Sequence, residues 1–129
     1  MKHDEYESER KRKRGQVCMI TVDGVTVCID PSLPLFNEMG RKYSMIIVAI
    51  LRQKEEGINF NQIISFIPFS STTIISRRLK KLAEIGIIEK LNSDGHLIYK
   101  LTKFGKELSD LLVPLMHLAE IHYGVKVTE

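Results

Sequence analysis

A chain of 129 residues with 43% hydrophobic and 27% charged residues has room for one domain with a modest core, and its composition is that of a soluble globular protein. No apolar stretch reaches the roughly 20 residues needed to span a bilayer, and the charged start lacks the apolar segment of a secretory signal, so a cytoplasmic location is expected. The net charge of +3 is small, but it is unevenly spread. Arg10, Lys11, Arg12, Lys13 and Arg14 form one unbroken basic run, and Arg77, Arg78, Lys80 and Lys81 form a second cluster.

Residues 1–15 are almost wholly polar and read as a basic flexible arm. The arm is a candidate for phosphate or minor-groove contact and equally for a solubilising tail. Residues 16–30 read as a β-hairpin extension, since β-branched residues flank Asp23-Gly24, the strongest short hairpin signal. A two-residue turn there sets Val22 opposite Val25, Ile20 opposite Val27 and Cys18 opposite Ile29. Cys18 and Cys28 then point to opposite faces, which disfavours a disulfide between them. They remain candidates for a redox switch, against the simpler role of two small buried apolar side chains.

Beyond Pro31 and Pro34 the spacing of Phe36, Met39, Tyr43, Ile46, Ile47, Ile50 and Leu51 predicts one helix from Leu35 to about Glu56, closed by Gly57. A short helix follows over 59–67, stopped by Pro68. Ser71 is placed to cap a helix over about 71–85, ended by Gly86. Two strands within 87–101 surround Asp94-Gly95, and Thr102 can cap a last helix to about Tyr123, with a kink expected ahead of Pro114.

This order is α+β, mainly α: a winged helix-turn-helix over 31–101, preceded by a β-hairpin extension and followed by a long C-terminal dimerisation helix within 102–129. On a wheel of about 100° per residue, Ile75, Leu79 and Leu82 form one stripe of the 71–85 helix and are predicted to face the core. Opposite them lie Thr73, Arg77, Lys80 and Glu84, with Ser76 and Lys81 on the flanks. Arg78 falls on the margin of the buried stripe and is expected to support the fold.

Small hydroxyls and cations on one exposed helix face suit a major groove. Thr72, Thr73, Ser76 and Arg77 are the candidates for reading bases. Ser71, Lys80, Lys81, Lys90 and His96 are the candidates for holding the backbone. Taken alone, such a face is usually a solvated surface; the preceding short helix and the following hairpin give it meaning. In the last helix Leu108, Leu111, Leu112, Leu115 and Ala119 form an apolar stripe. It is predicted either to join two copies in a homodimer or to fold back on the first helix. His117 and His122 stand five apart without a ligand set, so no metal or other cofactor is expected.

Four segments also resemble one family of regulators. Gly40-Arg41-Lys42-Tyr43 is similar to a Gly-Gly-Lys-Trp segment that opens the first core helix, with Arg41 for the second Gly and Tyr43 for the Trp. Phe60-Asn61-Gln62-Ile63 is similar to Phe-Asn-Glu-Leu. The stretch from Ser71 to Ile88 matches a recognition helix and the start of its wing, and that from Tyr99 to Leu108 the end of the wing and the start of a dimer helix. In this order and spacing they resemble the HxlR-type winged-helix regulators, relatives of the MarR group. The resemblance implies a homodimer on pseudo-palindromic double-stranded DNA, with recognition helices in successive major grooves and wings alongside. Some members sense oxidants through a cysteine before the first core helix, and Cys28 lies about two residues from that place. A small-molecule or oxidant effector is therefore an open expectation. The expected function is a sequence-specific transcriptional regulator, a repressor rather than an enzyme. The alternatives are a winged-helix protein-interaction module or a nonspecific architectural DNA binder.

Overall fold

In the computed structural model residues 19–124 are described; the basic run Arg10 to Arg14 and Cys18 lie outside them. The chain divides into two compact units, one up to Asn37 and one from Glu38 onward.

The first unit carries an antiparallel hairpin of β1 (Met19–Val22) and β2 (Val25–Cys28). Its register is the expected one, with Val22 opposite Val25 and Ile20 opposite Val27. Asp23 and Gly24 both take left-handed backbone, at φ 51° and 79°, the geometry of a type I′ turn. The Thr21 and Thr26 hydroxyls pair across one face at 3.3 Å. Past the strand, Asp30 accepts from both the backbone N–H and the hydroxyl of Ser32, and the Cys28 thiol is free and half-buried.

The expected single helix over 35–56 is corrected to two. Helix α1 spans Pro34–Met39 and α2 spans Ser44–Arg52, with a turn over residues 40–43 between them. The cause is local: Tyr43 sits at φ 75°, which no α-helix accommodates. An apolar period of three and four survives such a break because each piece still turns its own apolar side inward. The C-terminal end also falls earlier than Gly57. Gln53 closes α2, and Gly57, at φ 92°, serves the loop instead, where an added Cβ would lie 3.0–3.1 Å from Ile98 and the Tyr99 carbonyl.

The remaining elements follow the expected order. Helix α3 (Phe60–Phe66) begins in a full capping box: the Asn59 side chain accepts from the Gln62 N–H, and the Gln62 side chain accepts from the Asn59 N–H. Helix α4 (Thr72–Glu84) is capped by Ser71, and Gly86 at φ 84° ends its exit turn. The wing is β3 (Ile88–Ser93) paired with β4 (His96–Leu101), with Asp94 and Gly95 at φ 50° and 81° in a second type I′ turn. Ile58 and Tyr99 exchange backbone hydrogen bonds of 3.0 and 2.8 Å, which ties the loop before α3 to the wing. Burial raises the Tyr99 phenol above its ordinary pKa.

Helix α5 (Lys103–Tyr123) runs on through Pro114, and the Thr102 hydroxyl caps it by accepting from the Gly105 N–H. Gly105 is required by packing, since a Cβ there would stand 2.0 Å from the Ile87 carbonyl oxygen. The core is aliphatic: Ile47, Val48 and Leu51 from α2, Ile63 from α3, Ile75, Leu79 and Leu82 from α4, and Ile87, Ile88 and Leu101 around the wing. Arg52 reaches from α2 to Ser109 and Asp110, clipping α2 to α5.

Candidate nucleic-acid interface

Helix α4 has two faces with different chemistry. Its inner face is the expected stripe, Ile75, Leu79 and Leu82, each at most 1% exposed. Its outer face carries Thr72, Thr73, Ser76, Arg77 and Lys80, all exposed. With Phe60 of α3, these five line one open depression of about 490 Å³. Among the described residues none of these five side chains is engaged in a hydrogen bond or ion pair, so their donors point to solvent. At about 1.5 Å per residue, the 13-residue helix is roughly 20 Å long, and α4 can lie along a major groove.

The other expected backbone contacts are also at the surface. Ser71 is exposed and spends its hydroxyl oxygen on the Ile74 N–H, at 3.4 Å. Lys81 pairs with Glu84 one turn on at 3.7 Å, so part of its charge is already met within the helix. Lys90 and His96 are exposed on the wing, His96 next to the Asp94-Gly95 turn.

Arg78 takes no part in this surface. Its guanidinium donates to both carboxylate oxygens of Glu38, at 2.8 and 2.9 Å, and the Ser44 hydroxyl donates to the same carboxylate at 2.8 Å. Glu38 is 2% exposed and the Arg78 side chain 12%. Such a buried pair, with both carboxylate oxygens engaged, fixes α4 against the end of α1 and the start of α2. Sequence reasoning set Arg78 aside as structural but missed its partner. The signal was present: a cation on the edge of an apolar stripe needs an acid, and Glu38 is the sole acid between Asp30 and Glu55.

The apolar stripe of α5 divides. Leu108 and Leu112 are buried in the chain's own core, so part of the helix does fold back on α2. Leu111, Leu115 and Ala119 stay exposed, and further along the helix so do Leu118 and Ile121. No group of three or more His, Cys, Asp or Glu that could hold a metal ion occurs among the described residues, and no described helix is long and apolar enough to cross a membrane.

A short capped helix, a tight turn, a helix with free hydroxyls and cations on its outer face, and a two-stranded wing define a winged helix-turn-helix of the DNA-binding transcription-regulator class. The chain belongs to the HxlR-like helix-turn-helix family, whose pattern matches residues 38–126. A solved structure described as a possible HxlR family transcriptional factor from Thermoplasma volcanium GSS1 is 36% identical, with 81% of this chain and 94% of that one covered at a TM-score of 0.73. The reduced form of the transcriptional regulator YodB from B. subtilis is 25% identical, with 67% and 85% covered at a TM-score of 0.59. CouR from Rhodococcus jostii RHA1 bound to p-coumaroyl-CoA, 18% identical with 72% and 68% covered at a TM-score of 0.57, shares the fold. Comparison with curated protein sequences gives no match.

Proposed function

We propose that the protein is a sequence-specific double-stranded DNA-binding transcriptional regulator, a non-enzymatic repressor that acts by occluding its site. Helix α4 enters the major groove, and the β3–β4 wing lies on the backbone or in the adjacent minor groove. One observation carries this reading: Thr72, Thr73, Ser76, Arg77 and Lys80 converge on one open surface with their polar groups uncommitted among the described residues. Between a short capped helix and a two-stranded wing, three small hydroxyls around an arginine supply the mixture that base edges and phosphates accept. The protein works as a homodimer through the exposed half of the α5 stripe, Leu111, Leu115 and Ala119, extended by Leu118 and Ile121. An effector, either a small molecule or an oxidant acting at Cys28, fits the same reading, given fold relatives solved with quinone and with p-coumaroyl-CoA.

The test is binding of the purified chain to duplex DNA from its own upstream region and to unrelated duplex across a salt series. Preference for the first, weakening log-linearly with salt, is the expected result. Equal binding to both would make it an architectural binder, and absence of binding at low salt would end the DNA reading. Arg77→Ala is expected to cost about 1–3 kcal/mol on the preferred duplex and to relax specificity at one base pair. Leu118→Glu is expected to halve the mass measured by light scattering; an unchanged mass would move the dimer contact elsewhere.

A further inference from the structure

The break between α1 and α2 is the least expected feature of the second unit, and it carries a cluster that the fold does not use. Tyr43 is a bulky residue held in left-handed backbone at φ 75°, a strained conformation that persists only where its surroundings over-determine it. Those surroundings are visible. The Arg41 N–H donates to the Glu38 carbonyl at 2.9 Å, the Ile47 N–H to the Tyr43 carbonyl at 3.0 Å, and Ser44 and Arg78 lock the Glu38 carboxylate. The turn is thus tied to α4 through a buried network.

What the turn presents is cationic and aromatic. Arg41 and Lys42 are exposed, and neither has an acidic partner among the described residues. The one acid close in sequence, Glu38, is already taken by Arg78. The Lys42 ammonium stands 5.2 Å from the centre of the Tyr43 ring, and that ring packs at 6.2 Å and 52° against Phe69. Phe69 is 76% exposed and lies two residues before Ser71, the cap of α4. The cluster therefore flanks the N-terminal end of the recognition helix, the end from which such helices reach base edges and beside which a phosphate strand must pass.

We propose that Arg41 and Lys42, held out by Tyr43 and Phe69, form a second DNA contact: a clamp on the sugar–phosphate backbone beside the entry point of α4. The two cations neutralise phosphates, and Phe69 with Tyr43 offers an apolar wall to the sugars while fixing where the cations stand. The clamp rests on the DNA-binding reading and extends it to Arg41, Lys42 and Tyr43, which lie outside the helix-turn-helix and the wing. It carries no sequence information, because phosphates are alike at every step.

Salt dependence on the preferred and the unrelated duplex tests it, with the full chain in four forms: unaltered, Arg41→Gln/Lys42→Gln, Phe69→Ala, and Lys106→Gln, which removes one exposed charge from α5. At about 0.9 per phosphate, the double variant is expected to lower the slope of log K against log salt by about 1.8. That corresponds to about 30- to 60-fold weaker binding at 0.10–0.15 M salt, equal on both duplexes. Phe69→Ala is expected to weaken both several-fold at an unchanged slope, and Lys106→Gln to leave the slope as it was. A double variant that keeps the slope, or that loses affinity only on the preferred duplex, overturns the clamp while the regulator reading stands. An unaltered chain with no salt-dependent binding overturns both.

Discussion

Arg77 and Arg78 are adjacent in sequence and have opposite surroundings. Arg77 projects from the outer face of α4 into the depression shared with Thr73, Ser76 and Lys80. Arg78, about 100° further around the helix, is folded inward onto Glu38 and Ser44. The same guanidinium is therefore an exposed surface group in one place and a structural brace in the next. Residue type does not assign the role; the angle to the Ile75–Leu79–Leu82 stripe does. The two faces also depend on each other in the proposed function, because a surface that is to read bases needs its helix held within a fraction of an ångström, and the buried pair holds α4.

The largest way to break the comparison is to remove the brace. Arg78→Met leaves Glu38 buried and unpaired, and is expected to lower unfolding stability by about 3–5 kcal/mol, read by denaturant titration. Glu38→Leu/Arg78→Met is expected to recover most of that loss, since the isolated charge goes with its partner. What remains is the fully buried Ser44 hydroxyl, deprived of its acceptor at about 1–3 kcal/mol, and Ser44→Ala added to the pair should return much of it. A stable Arg78→Met variant would mean that the pair contributes nothing. Arg77→Ala gives the contrast: a change within about 0.5 kcal/mol in stability, and its whole effect in DNA affinity.

Most of the fold was legible because its punctuation is chemical. Asp23-Gly24 and Asp94-Gly95 both form the expected left-handed turns, and Asn59, Ser71 and Thr102 each cap a helix. The amphipathic wheel of α4 sorted its residues correctly down to the marginal Arg78. The illegible parts are those where one dihedral or one distant partner decides. Nothing in the periodicity marks Tyr43 as left-handed, so the spacing predicts one helix where α1 and α2 stand. In α5 the stripe is continuous in sequence, but Leu111 lies about 60° to one side of Leu108 on the wheel, and Leu115 and Ala119 lie further along a 21-residue helix than the nine-residue α2 covers. Leu108 and Leu112 are consequently buried while Leu111, at 73% exposure, is not. The stripe could be seen; its division between the chain's own core and an outward face could not.

The smallest and sharpest contrast lies in a second adjacent pair. Lys80 is uncommitted among the described residues, whereas Lys81 stands 3.7 Å from Glu84. A surface pair at this spacing is worth only a few tenths of a kcal/mol, so stability should not tell the two lysines apart. DNA binding should. Lys80→Gln is expected to lower the salt slope by about 0.9, the loss of one phosphate contact, at unchanged sequence preference. Lys81→Gln removes a charge that Glu84 already partly neutralises, and it leaves Glu84 to repel the phosphates, so its change in slope should be smaller although its formal charge change is the same. Glu84→Gln then discriminates further, because it frees Lys81 and should tighten binding at low salt. Equal slopes for Lys80→Gln and Lys81→Gln would show that the ion pair opens on DNA, and that the outer face extends one residue further around α4.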